Sequence, residues 1–331
     1  MALTLGDPAG IGPEIAASLL ARSVLPPADI YLVGSAGALM DALPPSFDKN
    51  MFQIVSHEGL KREEPIRAFP VVIDTGVGEV VPVGRPSAEG GLVAGRAIEA
   101  AVYLSRTGKI DGIVTGPISK EALNMAGYRY TGHTDMLADL FESPDCQMMM
   151  VAGDLRIVIL TRDMPLRDVP GAVTASMIKK GVRATAGALR ELWRIVKPRI
   201  AVAALNPHAG DGGVLGREEK DVIIPALEEL LGDWFDVEGP FPADTLFCNW
   251  RKKGYDAFVA LYHDQGMIPF KVNGFGQGVN MTIGLPVVRT SVCHGTAYDI
   301  AGRGVGEMGS LEAALSLAVR CCLAKREKQG V

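Results

Sequence analysis

Three side chains that could do chemistry stand in the same place relative to an apolar run of strand length. Asp163 follows residues 156–161, His208 follows 199–205, and His263 follows 256–262. If those runs lie side by side in a parallel sheet, a carboxylate and two imidazoles crowd one edge, and open α/β sheets bind their ligands outside the carboxyl ends of the strands. Two histidines and a carboxylate suit a divalent metal that keeps positions open for substrate. The spacing is long-range, so three separate polar loop residues remain the alternative.

Two cations add to this. Lys271 sits between Phe270 and Val272, and Arg289 closes the apolar run 285–288. Lys and Arg usually end as solvated surface charges, but a cation embedded in apolar sequence is a candidate clamp for a phosphate or carboxylate. The glycines Gly6, Gly10 and Gly12 match neither the dinucleotide fingerprint nor the P-loop, and with Pro8 and Pro13 they read as a tight strand-to-helix turn. The stretch Gly274 to Asn280 reads as a flexible active-site loop, and His57, in a polar loop, as surface.

Elements to position these residues alternate along the chain. Strands are expected at 2–5, 30–33, 71–74, 111–115, 199–205, 256–262 and 287–290. Helices are expected from the turn at 6–14 to about 21, at 36–43, 92–105, 176–196 and 217–231, and from about 311 onward. Runs 148–152 and 156–161 flank Gly153 and Asp154 as a hairpin, and 242–247 reads as loop. Strands alternating with helices imply an α/β fold with a largely parallel sheet, and the hairpin suggests two packed subdomains. The chain has 331 residues, 48% hydrophobic and 21% charged, with net charge −5 and no basic block. That composition reads as a soluble globular protein and argues against a nucleic-acid surface. No apolar run approaches the roughly 18 residues of a membrane span. The start lacks a signal peptide's basic region. The five cysteines contain no CxxC pair and read as reduced thiols of a cytoplasmic protein.

Several longer stretches carry a resemblance. They are Gly6-Asp-Pro-Ala-Gly-Ile-Gly-Pro-Glu14, Thr115-Gly-Pro-Ile-Ser-Lys120, Thr131-Gly-His-Thr134, Leu205-Asn-Pro-His-Ala-Gly-Asp-Gly-Gly213, Pro242-Ala-Asp-Thr-Leu-Phe247, Tyr262-His-Asp-Gln-Gly266 and the run from Gly284 to Ala297. In this order they resemble the 4-hydroxythreonine-4-phosphate dehydrogenase (PdxA-type) family, over nearly the whole chain. The resemblance implies a two-subdomain fold of the isocitrate/isopropylmalate dehydrogenase type, with mixed sheets and helices on both faces. Subdomains are expected at 1–125 plus 290–331 and at 126–289, with the active site in the cleft and at a homodimer interface. It implies substrate contacts at His133, Thr134, Lys271, Asn280 and Arg289. Metal ligands fall on His208 and His263, with one more from the partner subunit. The loop from His294 through Gly295, Ala297 and Asp299 resembles the adenine-side NAD loop of isopropylmalate dehydrogenases.

At one position the chain departs from the pattern. The family's third metal ligand is a histidine, whereas here the context Thr161-Arg-Asp163-Met-Pro-Leu-Arg-Asp168 carries an aspartate. A site of two histidines and one carboxylate is harder, which shifts preference among Zn, Co, Mg and Mn toward Mg or Mn. Cys293 also stands where an acid is common, and no role is expected of it. The implied reaction is NAD- or NADP-dependent, metal-dependent oxidation of 4-phosphooxy-L-threonine at C3. Decarboxylation to 3-amino-2-oxopropyl phosphate follows, a step of pyridoxal 5'-phosphate biosynthesis. Lys271 and Asp244 are the candidates for proton transfer. The alternatives are a paralogue oxidising D-threonate or D-erythronate 4-phosphate, a hydrolase or lyase using the same cluster without nucleotide, and a non-catalytic binding protein.

Overall fold

The computed structural model describes every residue except 23, 24, 65, 67, 68, 77, 79, 275, 330 and 331, and gives only the backbone of 328 and 329. The expected loop from Gly274 to Asn280 and the Gly/Pro-rich stretch after Asp74 therefore fall partly outside the described residues. The chain divides into two compact α/β units. The first comprises Met1–Pro144 and Leu285–Cys322, and the second Asp145–Gly284 and Leu323–Val331.

Among its described residues the first unit carries β1 (Ala2–Thr4), β2 (Tyr31–Gly34), β3 (Gln53–Ser56), β4 (Val71–Asp74), β5 (Gly112–Thr115) and β12 (Val288–Ser291). They lie in the order β3-β4-β2-β1-β5-β12, and every neighbouring pair is parallel. Five of the six are buried along nearly their whole length, as strands covered on both sides are; β1, β2, β4 and β5 are mostly apolar, whereas β12 buries Arg289, Thr290 and Ser291. Three helices of this unit begin on serine caps: Ser35, Ser87 and Ser119 each accept a backbone N–H three residues on, satisfying donors that the first turn leaves free.

The second unit carries β6 (Gln147–Ala152), β7 (Leu155–Thr161), β8 (Arg199–Ala203), β9 (Asp236–Phe241), β10 (Ala257–Tyr262) and β11 (Val279–Ile283), in the order β11-β6-β7-β10-β8-β9. β6 and β7 form the expected antiparallel hairpin, β11 adds antiparallel to β6, and β7, β10, β8 and β9 run parallel. All seven residues of β7 are buried, which marks it as the centre of this unit's core. The α/β class and the largely parallel pairing agree with the expectation from the sequence.

After β10, His263 opens a helix running to Gly274 with Pro269 inside it, an element not among those expected from the sequence. Three local readings change. Residues Val279 and Asn280, read as loop, belong to β11. His57 opens a short helix after β3, capped by Ser56, and Ala243–Leu246 is a short helix. The unit bounds also differ from 125/126 and 289/290. The helix His133–Leu140 packs in the first unit, where Arg106 Nη2 donates to the Leu140 carbonyl at 2.6 Å. The end of the closing helix Gly309–Gln329, from Leu323 onward, belongs to the second unit, where Lys325 pairs with Glu191 at 2.9 Å.

Candidate active site

The second unit places the three metal candidates on one edge. β7, β10 and β8 are adjacent and parallel, with Thr161 opposite Tyr262 and Val259 opposite Val202. Asp163, His263 and His208 therefore all leave the carboxyl ends of neighbouring strands. Two side chains tie these ends together. Thr161 Oγ1 donates to the Leu261 carbonyl at 2.6 Å. The buried Gln265 accepts from Leu261 N at 2.7 Å and donates to the Ala204 carbonyl at 2.6 Å. Gln265 thus fixes the first turn of the helix that His263 begins against the exit of β8.

His208 sits in a turn of unusual backbone. His208, Ala209 and Asp211 have φ of 54°, 53° and 41°, a left-handed region that residues with a Cβ adopt only when their surroundings enforce it. Just before this turn the chain is tied down by Glu219, 1% exposed. It accepts from the backbone N–H of Leu205 and Asn206 at 2.9 and 2.7 Å and from Asn206 Nδ2 at 2.9 Å. His263 Nδ1 lies 2.7 Å from Asp264 Oδ1, an orienting contact of the kind metal-binding imidazoles use. The donor types fit a divalent metal. Among the described residues, however, no three His, Cys, Asp or Glu side chains converge tightly enough to hold one. Asp163, His208 and His263 are all exposed. Asp244 and Lys271 are exposed as well, Lys271 in the last turn of the helix His263–Gly274. Asn280 is half-buried, with a buried Oδ1 that has no hydrogen-bond partner.

In the first unit, Arg289 of β12 is among the largest fully buried side chains at 1% exposure. Its Nη2 donates to Thr115 Oγ1 at 2.7 Å, and Thr115 in turn donates to Ser291 Oγ at 3.0 Å. A guanidinium so buried needs negative or strongly accepting partners. His133 lies within its electrostatic reach and is held neutral: burial, then the Arg289 charge, push its pKa well below the ordinary imidazole value. His133 Nε2 is buried and has no hydrogen-bond partner. With Thr134, His133 starts a helix whose first amides lack a side-chain cap, an arrangement that receives anions readily. A buried cation, a neutral imidazole and free amides together can hold a phosphate or carboxylate.

The loop from His294 to Gly304 follows β12. Its Gly302, Arg303 and Gly304 line a cavity of about 760 Å³ with Gly10, Glu14 and Ser35. A cavity of that size accommodates a cofactor-sized ligand, and a Cβ on Gly295 or Gly304 would meet only open space. His294 Nδ1 lies 2.9 Å from the Gly295 carbonyl, and its buried Nε2 has no hydrogen-bond partner.

Residues 27–318 match the family model described as pyridoxal phosphate biosynthetic protein PdxA. The chain belongs to this family. It is 41% identical to a 4-hydroxythreonine-4-phosphate dehydrogenase of Bradyrhizobium diazoefficiens over 98% of this chain and 97% of that one. A second protein of the same organism, provisionally named D-threonate 4-phosphate dehydrogenase, is also 41% identical, over 97% and 96%. Identity alone does not separate the two. Among solved structures, the 4-hydroxythreonine-4-phosphate dehydrogenase of Klebsiella pneumoniae aligns with a TM-score of 0.84 at 36% identity, covering 97% of this chain and 98% of that one.

Open α/β sheets bind ligands outside the carboxyl ends of their strands, which is where Asp163, His208, His263 and the loop after β12 lie. Sequence reasoning nevertheless passed over Thr115, Glu219, Gln265, Asp7 and Tyr298, none of which was given a role. Thr115, Asp7 and Gln265 lie inside the quoted motifs, which was a usable signal. Glu219 sits in the polar run Arg217-Glu-Glu-Lys-Asp221, which resembles any solvated helix face.

Proposed function

We propose that this PdxA-family chain is an NAD(P)-dependent dehydrogenase that oxidises 4-phosphooxy-L-threonine at C3, with decarboxylation to 3-amino-2-oxopropyl phosphate in pyridoxal 5'-phosphate synthesis. The observation that carries the reading is the buried Arg289 beside a neutral His133. A small substrate with a phosphate at one end and a carboxylate at the other presents anions of the kind a buried guanidinium binds. Thr134 and the first amides of its helix complete the grip on that group, and Asn280 and Lys271 contact the rest of the substrate.

A divalent metal held by Asp163, His208 and His263, with a further ligand from the partner of a homodimer, would supply Lewis acidity at the C3 hydroxyl and at the carbonyl that replaces it. The harder donor set favours Mg or Mn. Lys271 takes or returns the proton, with Asp244 as the other candidate. The loop residues His294, Gly295, Ala297 and Asp299 receive the nucleotide, beside the cavity closed by Gly302 and Gly304.

The test is NADH or NADPH absorbance on mixing the purified protein with NAD or NADP, Mg or Mn, and 4-phosphooxy-L-threonine, side by side with D-threonate and D-erythronate 4-phosphate. Faster turnover of a sugar-acid phosphate would assign the chain to the paralogous activity, a reading favoured by the equally similar second relative. Turnover of none of them with any divalent metal would overturn the proposal.

A further inference from the structure

The tight turn after β1 is bonded along its length to the loop proposed to receive the nucleotide. Ile11 N donates to the Thr296 carbonyl at 2.9 Å. The backbones are so close that a Cβ on Gly10 would stand 2.7 Å from that same oxygen. Tyr298 Oη donates to Asp7 Oδ2 at 2.6 Å, while Asp7 Oδ1 accepts from Ala9 N at 2.9 Å. Further along, the Glu14 carboxylate accepts from the amides of Gly302 and, at 2.8 Å, Gly304. Between these anchors Ala297 holds φ at 46° and Asp299 projects into solvent.

Asp7 is 0% exposed. Burial raises its pKa against the lowering effect of Tyr298 and Ala9, so the fold tolerates a carboxylate in a place that disfavours charge. A left-handed alanine also persists only where its neighbours over-determine it. Both costs fall where the chain must hold 294–304 in one shape.

We infer that Asp7 and Glu14 are positioning residues for the nucleotide: through Tyr298 and the Gly302 and Gly304 amides they fix the shape in which residues 295–299 meet the cofactor, without touching it themselves. The inference rests on the reading of that loop as the nucleotide site. It gives Tyr298 a role distinct from the neighbouring Asp299, whose side chain is free to reach a ligand. Removing one charge-assisted hydrogen bond from such an anchor should cost about tenfold in affinity.

The experiment measures the NADH dissociation constant by titration calorimetry, with KM for NAD and kcat, for wild type, Tyr298→Phe, Asp7→Asn and the double variant. Tyr298→Phe deletes one oxygen from a half-buried side chain and keeps the fold, as its melting temperature will verify. The expected result is a roughly tenfold rise in Kd and KM for the cofactor, with kcat within about twofold of wild type. The double variant should be no weaker than the worse single variant, because Asp7 acts on the loop through Tyr298. Wild-type affinity in Tyr298→Phe, or penalties that multiply in the double variant, would overturn the positioning role. Wild-type protein that binds neither NADH nor NADPH would instead overturn the reading of the loop beneath it.

Discussion

Replacing Glu219 should loosen the turn that presents His208, at a cost graded by how many of its bonds survive. One carboxylate oxygen serves the Leu205 and Asn206 amides, and the other serves Asn206 Nδ2. Glutamine keeps the first oxygen and its two backbone donors. It turns the second acceptor into a donor facing Asn206 Nδ2, which still reaches Glu218 at 2.7 Å. That loses one bond, about 1 kcal/mol, partly offset because a buried charge is removed. Alanine leaves two backbone N–H groups without an acceptor as well, at about 1 kcal/mol each for half-buried groups, so the total is about 3 kcal/mol. Urea unfolding followed at constant m reads these differences directly. The left-handed turn at His208 relaxes with the alanine, so calorimetric Mn affinity should fall further in Glu219→Ala than in Glu219→Gln. The reasoning fails if the two variants unfold within about 0.5 kcal/mol of each other.

Arg289→Met should raise KM for the phosphorylated substrate by about 10- to 100-fold, the range of one or two charged hydrogen bonds. Its melting temperature should not fall, because an apolar chain of similar length replaces a buried charge and Thr115 keeps Ser291. A large loss of stability with unchanged KM would make Arg289 purely structural. His133 should make stability depend on pH. Its folded pKa lies below the unfolded value, so its contribution is complete above about pH 6.5 and declines as pH falls through that point toward the folded pKa. His57 shifts the same way, by burial and then Lys61, so urea midpoints between pH 8 and 5 should be compared with His133→Gln, which flattens only its own share. An unchanged slope would place His133 in water. Dialysis against a chelator should abolish activity that Mg or Mn restores, and Asp163→His should move the preference toward Zn; an unaltered metal order would remove Asp163 from the ligand set.

How much of this was legible in the sequence depends on what each feature answers to. β7, β8 and β10 were readable because a strand buried on both faces is an unbroken apolar run, and the residue that ends it must lie at the sheet's edge. The places of Asp163, His208 and His263 follow from that. The helix from His263 was not readable. Pro269 and the His-Asp-Gln-Gly start signal a loop by local propensity, and only Gln265 bonding two neighbouring strands makes the helical turn favourable. β11 was missed for a similar reason. Its glycine-rich approach looks mobile, and it becomes a strand by pairing Asn280 with Met150, a choice made across the fold.

The groups that hold the site are less legible than the groups that act in it. A metal or phosphate ligand has to be a particular residue type at a strand end, and both conditions leave marks in the sequence. A holding residue is defined only by its partner, and those partners are remote: Tyr298 reaches Asp7 across 291 positions, and Arg289 reaches Thr115 across 174. The motif around Asp7 does not point to Tyr298 as its partner, and nothing local distinguishes Glu219 from the other acids of its run. Parallel topology nonetheless narrows where such partners lie. Since β1, β5 and β12 are neighbours, residues just past Thr4, Thr115 and Ser291 must meet, and Asp7, Ser119 and the His294 loop are those residues. Knowing the strand order is therefore enough to turn three unremarkable motifs into one candidate cofactor-holding cluster.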